Sequence, residues 1–285
     1  MSSALRPTLS NSRAILAGGF LPLLGLVAWS LGPGPGDDPQ STGTSPDGTL
    51  AQLLGAEGIE LDRGLGAISV PVDVLITHEL LEYVLVGPGG SAHESLLVTG
   101  AKPSSINAAL LAIGVEEGRN AYWKEVVPFP TEEELRQGAK HHELVLPEGD
   151  GVLPYLAWRE GDETYFLRLE DTLCDLAAGR SMRRHRWVYI GSRFASLRSD
   201  GPEVFMADEE QNLINLAFFT EGNTLVTAAL PECELQTIWR ANDWLLPPRG
   251  SHVRLILSHV QLESLPERFR ASLPEPDRSL EATVR

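Results

Sequence analysis

Three residues near the start of the folded region have side chains suited to acid–base chemistry. Glu82 lies in one apolar run, and His93 and Glu94 open the next. An imidazole beside a carboxylate can serve as a general base or as half of a metal site. If the two runs form a hairpin, Glu82 and His93 lie on neighbouring strands, and the period of two turns His93 and Glu94 to opposite faces. We name all three as catalytic candidates; the alternatives are ligand or ion binding and a buried polar network that fixes the hairpin register.

A basic cluster stands out in an otherwise acidic chain. It consists of four arginines, Arg180, Arg183, Arg184 and Arg186. Guanidinium groups pair with carboxylates in a bidentate geometry, so this cluster is a candidate binding site for an anionic glycan or for the carboxylates of a partner. The alternative is a solvated loop that the protein's own Asp and Glu side chains neutralise.

The two cysteines, Cys174 and Cys233, are an even pair. In an oxidising compartment a disulfide between them would close a loop of about 58 residues and stabilise the fold by on the order of 4 kcal/mol. The alternatives are two buried thiols that act as small apolar side chains, and a redox role that requires both thiols to be close and exposed.

The sequence lacks the usual motifs of metal and cofactor sites. The histidines have neither H-x-x-x-H nor H-E-x-x-H spacing, and neither G-x-S-x-G nor G-x-x-x-x-G-K-[ST] occurs. An iron–sulfur cluster needs about four cysteine ligands, more than this chain carries. We therefore expect no metal and no cofactor, and whether the protein is an enzyme stays open, with a negative answer favoured.

The overall charge restricts the partners. The chain has 285 residues and a net charge of −16. Nucleic-acid binding requires clustered Lys and Arg to displace counterions, so we expect no nucleic-acid partner. The same acidity disfavours binding to an anionic membrane surface, so membrane contact is expected only through the N-terminal segment.

The beginning of the chain has the layout of an export signal. Arg6 and Arg13 precede an uncharged, apolar stretch, residues 14–31. Its length is close to the ~20 residues that span a bilayer as a helix. We expect residues 1–31 to be a signal peptide or an uncleaved membrane anchor, and the protein to act outside the cytoplasm, in the periplasm, at the cell surface or secreted.

Composition divides the rest of the chain. Residues 32–48 are rich in Pro, Gly and Ser and are expected to form a flexible linker. Residues 49–273 are expected to fold as a β-rich domain, divisible into sub-blocks at about 55–114 and 141–260. Residues 274–285 are expected to be a polar tail.

Short apolar runs separated by Gly and Pro predict strands along the folded region. Because no β-α-β rhythm is present, we expect an α+β fold, mostly antiparallel β-sheet with a few short helices. The predicted strands are Ile59–Leu61, Ile68–Ile76, Glu82–Val86, Ser95–Val98, Glu143–Leu146, Val152–Trp158, Thr164–Leu169, Arg186–Ile190, Val204–Ala207, Leu213–Phe219 and Val253–Val260.

Turn and helix signals lie between these runs. Gly87–Gly90 predicts a hairpin connection. One helix is predicted after Pro103, with Ser104 or Ser105 as its N-cap and Gly114 as its stop, and another at about Asp171–Ala178.

Several of these segments resemble a known family. They are Leu81–Val86, His93–Thr99, Lys102-Pro103, Ile106–Ile113, Trp187–Ser192, Ala207–Glu209 and Pro247–Ser251. Together they resemble the YdjY domain family of exported bacterial proteins and cover most of residues 55–260 in the same order. Where such relatives usually carry Gly in the turn after the Ala-Asp pair, this chain has Gln211-Asn212. The family has no established activity, so the resemblance implies a fold and a compartment but no chemistry.

The sequence supports two hypotheses of function. The first is an extracytoplasmic module that binds a protein or a cell-envelope component without catalysis. The second is an exported hydrolase or other enzyme that uses Glu82 and His93 in a cleft. A binding module needs an exposed patch, whereas an enzyme needs those two side chains to converge in a concave pocket.

Overall fold

Apolar runs punctuated by Gly and Pro give the chain short strands joined by turns. The structure, a computed structural model, describes residues 46–275, in which there are seventeen strands and five α-helices. The strands are β1 (Glu60–Asp62), β2 (Ala67–Val74), β3 (Tyr83–Val86), β4 (Ser95–Val98), β5 (Tyr122–Glu125), β6 (His142–Val145), β7 (Gly151–Glu160), β8 (Glu163–Arg168), β9 (Leu173–Asp175), β10 (Arg180–Ser181), β11 (Trp187–Tyr189), β12 (Phe194–Ser196), β13 (Glu203–Phe205), β14 (Asn212–Asn215), β15 (Val226–Thr227), β16 (Trp239–Ala241) and β17 (His252–Ser258). The helices are α1 (Pro46–Ala56), α2 (Pro103–Ala112), α3 (Glu132–Arg136), α4 (Met206–Glu210) and α5 (Glu267–Arg270), with 3₁₀ turns at Ala92–Glu94, Leu169–Thr172, Pro231–Glu234 and Asp243–Leu245.

Eight of these strands form a sheet that closes on itself. Their order is β2, β17, β7, β11, β15, β14, β3 and β4, and β4 pairs again with β2 through Val98 with Asp73 and Leu97 with Val74. Neighbours are antiparallel except for β14–β15 and β3–β4. The prediction of an α+β fold with mostly antiparallel sheet and a few short helices is confirmed.

Alternation along the strands places one apolar face toward the main core. Along β2, the buried Ile68, Val70, Val72 and Val74 share that face. Fully burying a side chain of this size contributes roughly 1.5–3 kcal/mol relative to leaving it exposed. The paired positions of β17 and β7 extend the core with Val253, Leu255, Leu257 and Leu156.

The opposite face of β7 and β17 is covered by the C-terminal segment. Tyr155 and Ile256 are paired across these two strands and pack with Leu265 and Phe269 in a second, smaller cluster. This outer face of β7, together with the same face of its neighbour β8, becomes the floor of the cavity described below.

The connection at Gly87–Gly90 is not a hairpin, and that prediction was wrong. Its flanking strands β3 and β4 pair in parallel, with Tyr83 opposite Ser95 and Val86 opposite Val98. Residues 87–94 can reach about 28 Å when extended, about twice the length of a strand of four residues. The chain therefore returns to the start of β3 before β4 begins, which periodicity in the sequence does not reveal.

Gln211 holds this connection in place. It has a left-handed backbone with φ of 55°, a conformation that favours glycine. Its Oε1 accepts a hydrogen bond from the amide of Gly89 at 2.7 Å, and Asn212 Oδ1 accepts one from the amide of Ser91 at 2.9 Å. A Cβ at Gly90 would lie 2.5 Å from the Gln211 carbonyl oxygen, so glycine is required there.

The helix after Pro103 is confirmed, although its N-cap is Lys102 rather than Ser104 or Ser105. Pro103 takes the first helical position, where its missing N–H costs nothing. The helix at Asp171–Ala178 was wrong.

In its place, a 3₁₀ turn at Leu169–Thr172 leads into β9. Asp175 Oδ1 accepts a hydrogen bond from the Ala178 amide at 2.9 Å, so this side chain closes a turn where a helix would need the backbone carbonyl.

Strands from both predicted sub-blocks share the closed sheet, and the described residues 46–275 belong to one compact unit. No helix within residues 46–275 combines the length and the apolar character needed to cross a lipid bilayer. The expected signal or anchor at residues 1–31 lies outside the described residues, as does the tail from residue 276 onward.

Candidate functional site

The structure brings Glu82, His93 and Glu94 together. The Glu82 amide donates to the Glu94 carbonyl at 2.9 Å, and His93 Nε2 lies 3.7 Å from Glu94 Oε2. Because Ala92–Glu94 is a 3₁₀ turn rather than the start of a strand, His93 and Glu94 do not alternate, and the prediction that they face opposite ways was wrong. The His93 side chain is 81% exposed, so it stands at the surface.

Burial and repulsion between carboxylates raise the pKa values of Glu82 and Tyr83. Burial raises the pKa of Glu82, the Glu94 carboxylate raises it further, and His93 partly opposes both. Burial, followed by Glu94 and Glu82, raises the pKa of Tyr83 to about 12. The Tyr83 ring is stacked on Phe219, with 4.9 Å between the ring centroids. Three cavities lie on the surface of residues 46–275 at β8, at β6 and at β2, and Glu82, His93 and Glu94 line none of these three.

The predicted arginine cluster is largely neutralised by the protein itself. Arg183 donates two hydrogen bonds to the Glu232 carboxylate, at 2.8 and 2.6 Å. Arg184 does the same with Asp171, at 3.0 and 2.6 Å. Arg180 lies 3.9 Å from Glu232, while Arg186 donates to the backbone carbonyls of Gly151 and His259. Of these four side chains, Arg184 also lines a cavity.

That cavity has a volume of about 480 Å³ and lies on the outer face of β7 and β8. It is bordered on one side by the segment that carries Arg184 and on the other by residues 261–263. Its lining combines aromatic and aliphatic groups with charged and amide groups: Leu153, Tyr155, Phe166, Leu167, Arg168, Asp171, Arg184, His185, Gln261, Leu262 and Glu263. We call it the β8 cavity.

Arg168, at the end of β8, is held by several contacts in the β8 cavity. Its Nε and Nη2 donate to the Glu170 carboxylate at 3.0 and 2.5 Å, and Nη2 also donates to the His185 carbonyl at 3.0 Å. The guanidinium carbon lies 5.2 Å from the centroid of the Tyr155 ring, within cation–π range. No described residue forms a hydrogen bond or an ion pair with Nη1 of Arg168.

Glu170 holds the Arg168 guanidinium in place through its carboxylate. Its side chain is fully buried, and it accepts hydrogen bonds from the indole Nε1 of Trp187 at 3.1 Å and from the His185 amide at 3.2 Å. A buried carboxylate with this many donors is compensated for its loss of water.

His185 is held as a neutral imidazole. Burial lowers its pKa, and this outweighs the hydrogen bond to the Arg183 carbonyl and the nearby Glu170, both of which raise it. Its Nε2 accepts from the Ala229 amide at 3.2 Å, so Nδ1 carries the proton and donates to the Arg183 carbonyl at 3.0 Å. Because both ring nitrogens are engaged, His185 shapes the wall of the cavity and is not available to move a proton.

Cys174 and Cys233 are free thiols in the structure. Cys174 lies directly opposite Arg240 on the neighbouring strand, so the two side chains share one face of the small sheet β10–β9–β16. Cys233 is buried, and its pKa is raised chiefly by burial and further by carboxylates that include Asp175, on the other face of β9. The structure therefore favours the alternative of two unpaired thiols over the disulfide, and thiol titration tests this.

The sequence identified one member of the β8 cavity, Arg184, and missed the others. The signal was present in Arg168 and Glu170, two opposite charges inside a stretch that is otherwise apolar and strand-forming. A buried pair of this kind is expected to be compensated by further polar groups, here supplied by His185 and Trp187.

Comparisons with family models, with curated proteins and with solved structures each found no match. The resemblance to the YdjY domain family therefore stays a prediction from the segments given above, and the site is interpreted from its own geometry.

Proposed function

We propose that this chain is a non-catalytic binding module that acts outside the cytoplasm and holds a small polar ligand in the β8 cavity. The compartment follows from the signal-like residues 1–31, with a cell-envelope component as the expected class of partner. The size of the cavity, about 480 Å³, lies within the range of about 300–1,000 Å³ that is usual for ligand sites.

One observation carries the proposal: Arg168 is fixed before any ligand arrives. Its two bonds to Glu170 and its position over the Tyr155 ring leave it one orientation. A donor that is already ordered binds without losing side-chain entropy, which costs about 0.5–1.5 kcal/mol for a mobile side chain.

A role without catalysis is supported by the engagement of the titratable groups. The imidazole of His185 uses both nitrogens, and the hydroxyl of Tyr155 accepts a hydrogen bond from the Leu262 amide at 2.9 Å. The rival function, hydrolysis by Glu82 and His93, is less well supported, since the 81% exposed His93 would leave a reaction open to bulk water.

The test is a thermal-shift screen of the purified full-length chain against small anionic, neutral and cationic polar molecules. A ligand at about 100 times its Kd adds about 2.7 kcal/mol, which raises the Tm by roughly 5–11 °C for a chain of this size.

The cavity variant is Gln261→Trp, which fills the cavity from an exposed position. Ser264→Trp adds the same side chain to the same segment outside the lining and is the matched control. We expect hits on the wild type and on Ser264→Trp that are lost on Gln261→Trp. Hits that survive in Gln261→Trp, or no hit from any charge class, would contradict the proposed function.

A further inference from the structure

We propose that the ligand of the β8 cavity is a saccharide unit that carries a single acidic group, a uronate-type sugar. Its anion would be bound by Nη1 of Arg168 and Nη1 of Arg184. This inference rests on the proposed function and names the chemistry of its ligand.

The two arginines present unused donors to the same cavity. Arg168 binds Glu170 through Nε and Nη2, and Arg184 binds Asp171 through the same two atoms. A guanidinium is planar, so when one edge holds a carboxylate the Nη1 group points away from it with two N–H bonds. Within residues 46–275, neither Nη1 has a partner, while both side chains line the cavity.

The charge balance of the lining disfavours a ligand with several acidic groups. The charges of Arg168 and Arg184 are each offset by a carboxylate, and Glu263 adds a further negative charge to the rim. The chain as a whole carries −16. A polyanion or an acidic peptide would bring additional carboxylates against Asp171 and Glu263, where like charges repel.

The same acidic rim suits hydroxyl groups. Glu263 and Asp171 are acceptors. The Gln261 amide nitrogen donates to Glu263 at 3.0 Å, and its amide oxygen can accept. Hydroxyl groups of a sugar donate and accept in the same way. Sulfate offers only acceptors at neutral pH, so it would leave the rim carboxylates without donors.

An aromatic floor completes the site. Tyr155 and Phe166 are stacked with 4.8 Å between their centroids, and both line the cavity. Phe166 is partly exposed, so its apolar surface is available to the C–H face of a pyranose ring. Donors for one acid, acceptors for hydroxyls and an apolar floor together match an acidic sugar.

The experiment measures binding by calorimetry with three probes: methyl glucuronoside, methyl glucoside and a short acidic peptide. The protein is the full-length chain as wild type, Arg184→Gln and Arg183→Gln. Arg183 is the matched control, because it neighbours Arg184, is ion-paired to Glu232 in the same way and does not line the cavity.

We expect the glucuronoside to bind the wild type and Arg183→Gln equally, and Arg184→Gln about tenfold more weakly. A tenfold loss corresponds to about 1.4 kcal/mol, an ordinary cost for removing one hydrogen bond to a charged group. The glucoside should bind the wild type about tenfold more weakly than the glucuronoside, with no difference between the two sugars on Arg184→Gln. Equal Tm values of the two variants exclude unfolding as the cause.

Three outcomes would overturn the inference: equal affinity for the two sugars, preference for the acidic peptide, or equal loss in Arg183→Gln. In each of these cases the proposed function is still supported if the probe that binds the wild type does not bind Gln261→Trp. The proposed function itself fails on a different result: no probe or screened molecule binds the wild type more tightly than it binds Gln261→Trp.

Discussion

The indole Nε1 of Trp187 donates a hydrogen bond to Oε1 of Glu170 at 3.1 Å, and both side chains are removed from solvent. Through this contact the closed sheet, to which Trp187 belongs in β11, supports the charge that orients Arg168. The Arg168 guanidinium is thus connected to the main core by two side-chain contacts, Trp187 with Glu170 and Glu170 with Arg168.

We predict that Glu170→Ala destabilises the protein by about 3 kcal/mol, because it leaves the largely buried Arg168 without its partner. Urea denaturation of the purified chain measures this change. The control is Glu267→Ala, which removes an ion pair to Arg270 from a carboxylate side chain that is 89% exposed and should leave the midpoint within error. Equal effects of the two substitutions would show that Glu170 is not compensated as described.

Stability should fall as the solution is acidified below neutral pH because of His185. Burial holds its folded-state pKa below the ordinary value of 6.5. The unfolded chain therefore binds this proton first as the pH decreases from about 6.5 toward the folded-state pKa, and the free energy of unfolding drops over that interval. We expect a smaller drop between pH 7.5 and 5.5 in His185→Asn. If the urea midpoint of His185→Asn falls between pH 7.5 and 5.5 by as much as that of the wild type, His185 is not the group responsible.

Glu82→Gln should stabilise the protein at pH 7. Burial and the neighbouring Glu94 raise the pKa of Glu82 above 4.5, so its contribution to stability is present at acidic pH and is lost as the pH rises through the folded-state pKa. The amide removes that charge, and the difference in Tm from wild type should shrink at pH 4. A lower Tm at pH 7 would mean that the Glu82 carboxylate makes favourable contacts.

The same variant separates the two functions. If Glu82 and His93 form an active site, Glu82→Gln abolishes hydrolysis of any substrate found for the protein, while ligand binding in the β8 cavity is unaffected. The binding proposal expects Glu82→Gln and His93→Ala to retain wild-type affinity for ligands of the cavity, measured by calorimetry.

Both cysteines should react as free thiols. In the folded protein, DTNB is expected to modify the partly exposed Cys174 slowly and the buried Cys233 hardly at all, since burial raises the pKa of both thiols and the thiolate is the nucleophile. After unfolding without a reductant, two thiols per chain should be counted. A count of zero would establish the disulfide instead.

The positions of most strands could be predicted because strand formation depends on local apolar runs and their bounding Gly and Pro. Ser95–Val98 was predicted to the residue, and the ranges in β2 and β7 were shifted by one or two residues. The parallel pairing of β3 with β4 could not be predicted, because it depends on where residues 87–94 return, a non-local property fixed by contacts with Gln211 and Asn212.

The candidate site was predictable only in part for a similar reason. Arg184 could be identified as a member of a basic cluster. The same cluster includes Arg183, which is paired with Glu232 and does not line the cavity. Arg168 was not selected because it reaches the site through the pairing of β8 with β7.

Closure of the sheet also determines when the protein can fold. The last strand, β17, lies between β2 and β7, so Ile68 near the beginning of the folded region pairs with Leu257 near its end. Contacts between residues so distant in sequence form slowly, because a long loop must close before they are gained. During synthesis, β2 and β7 cannot pair with β17 until residues 252–258 have been made, so their apolar faces lack this neighbour until then. A chain that cannot complete its core early remains unfolded for longer.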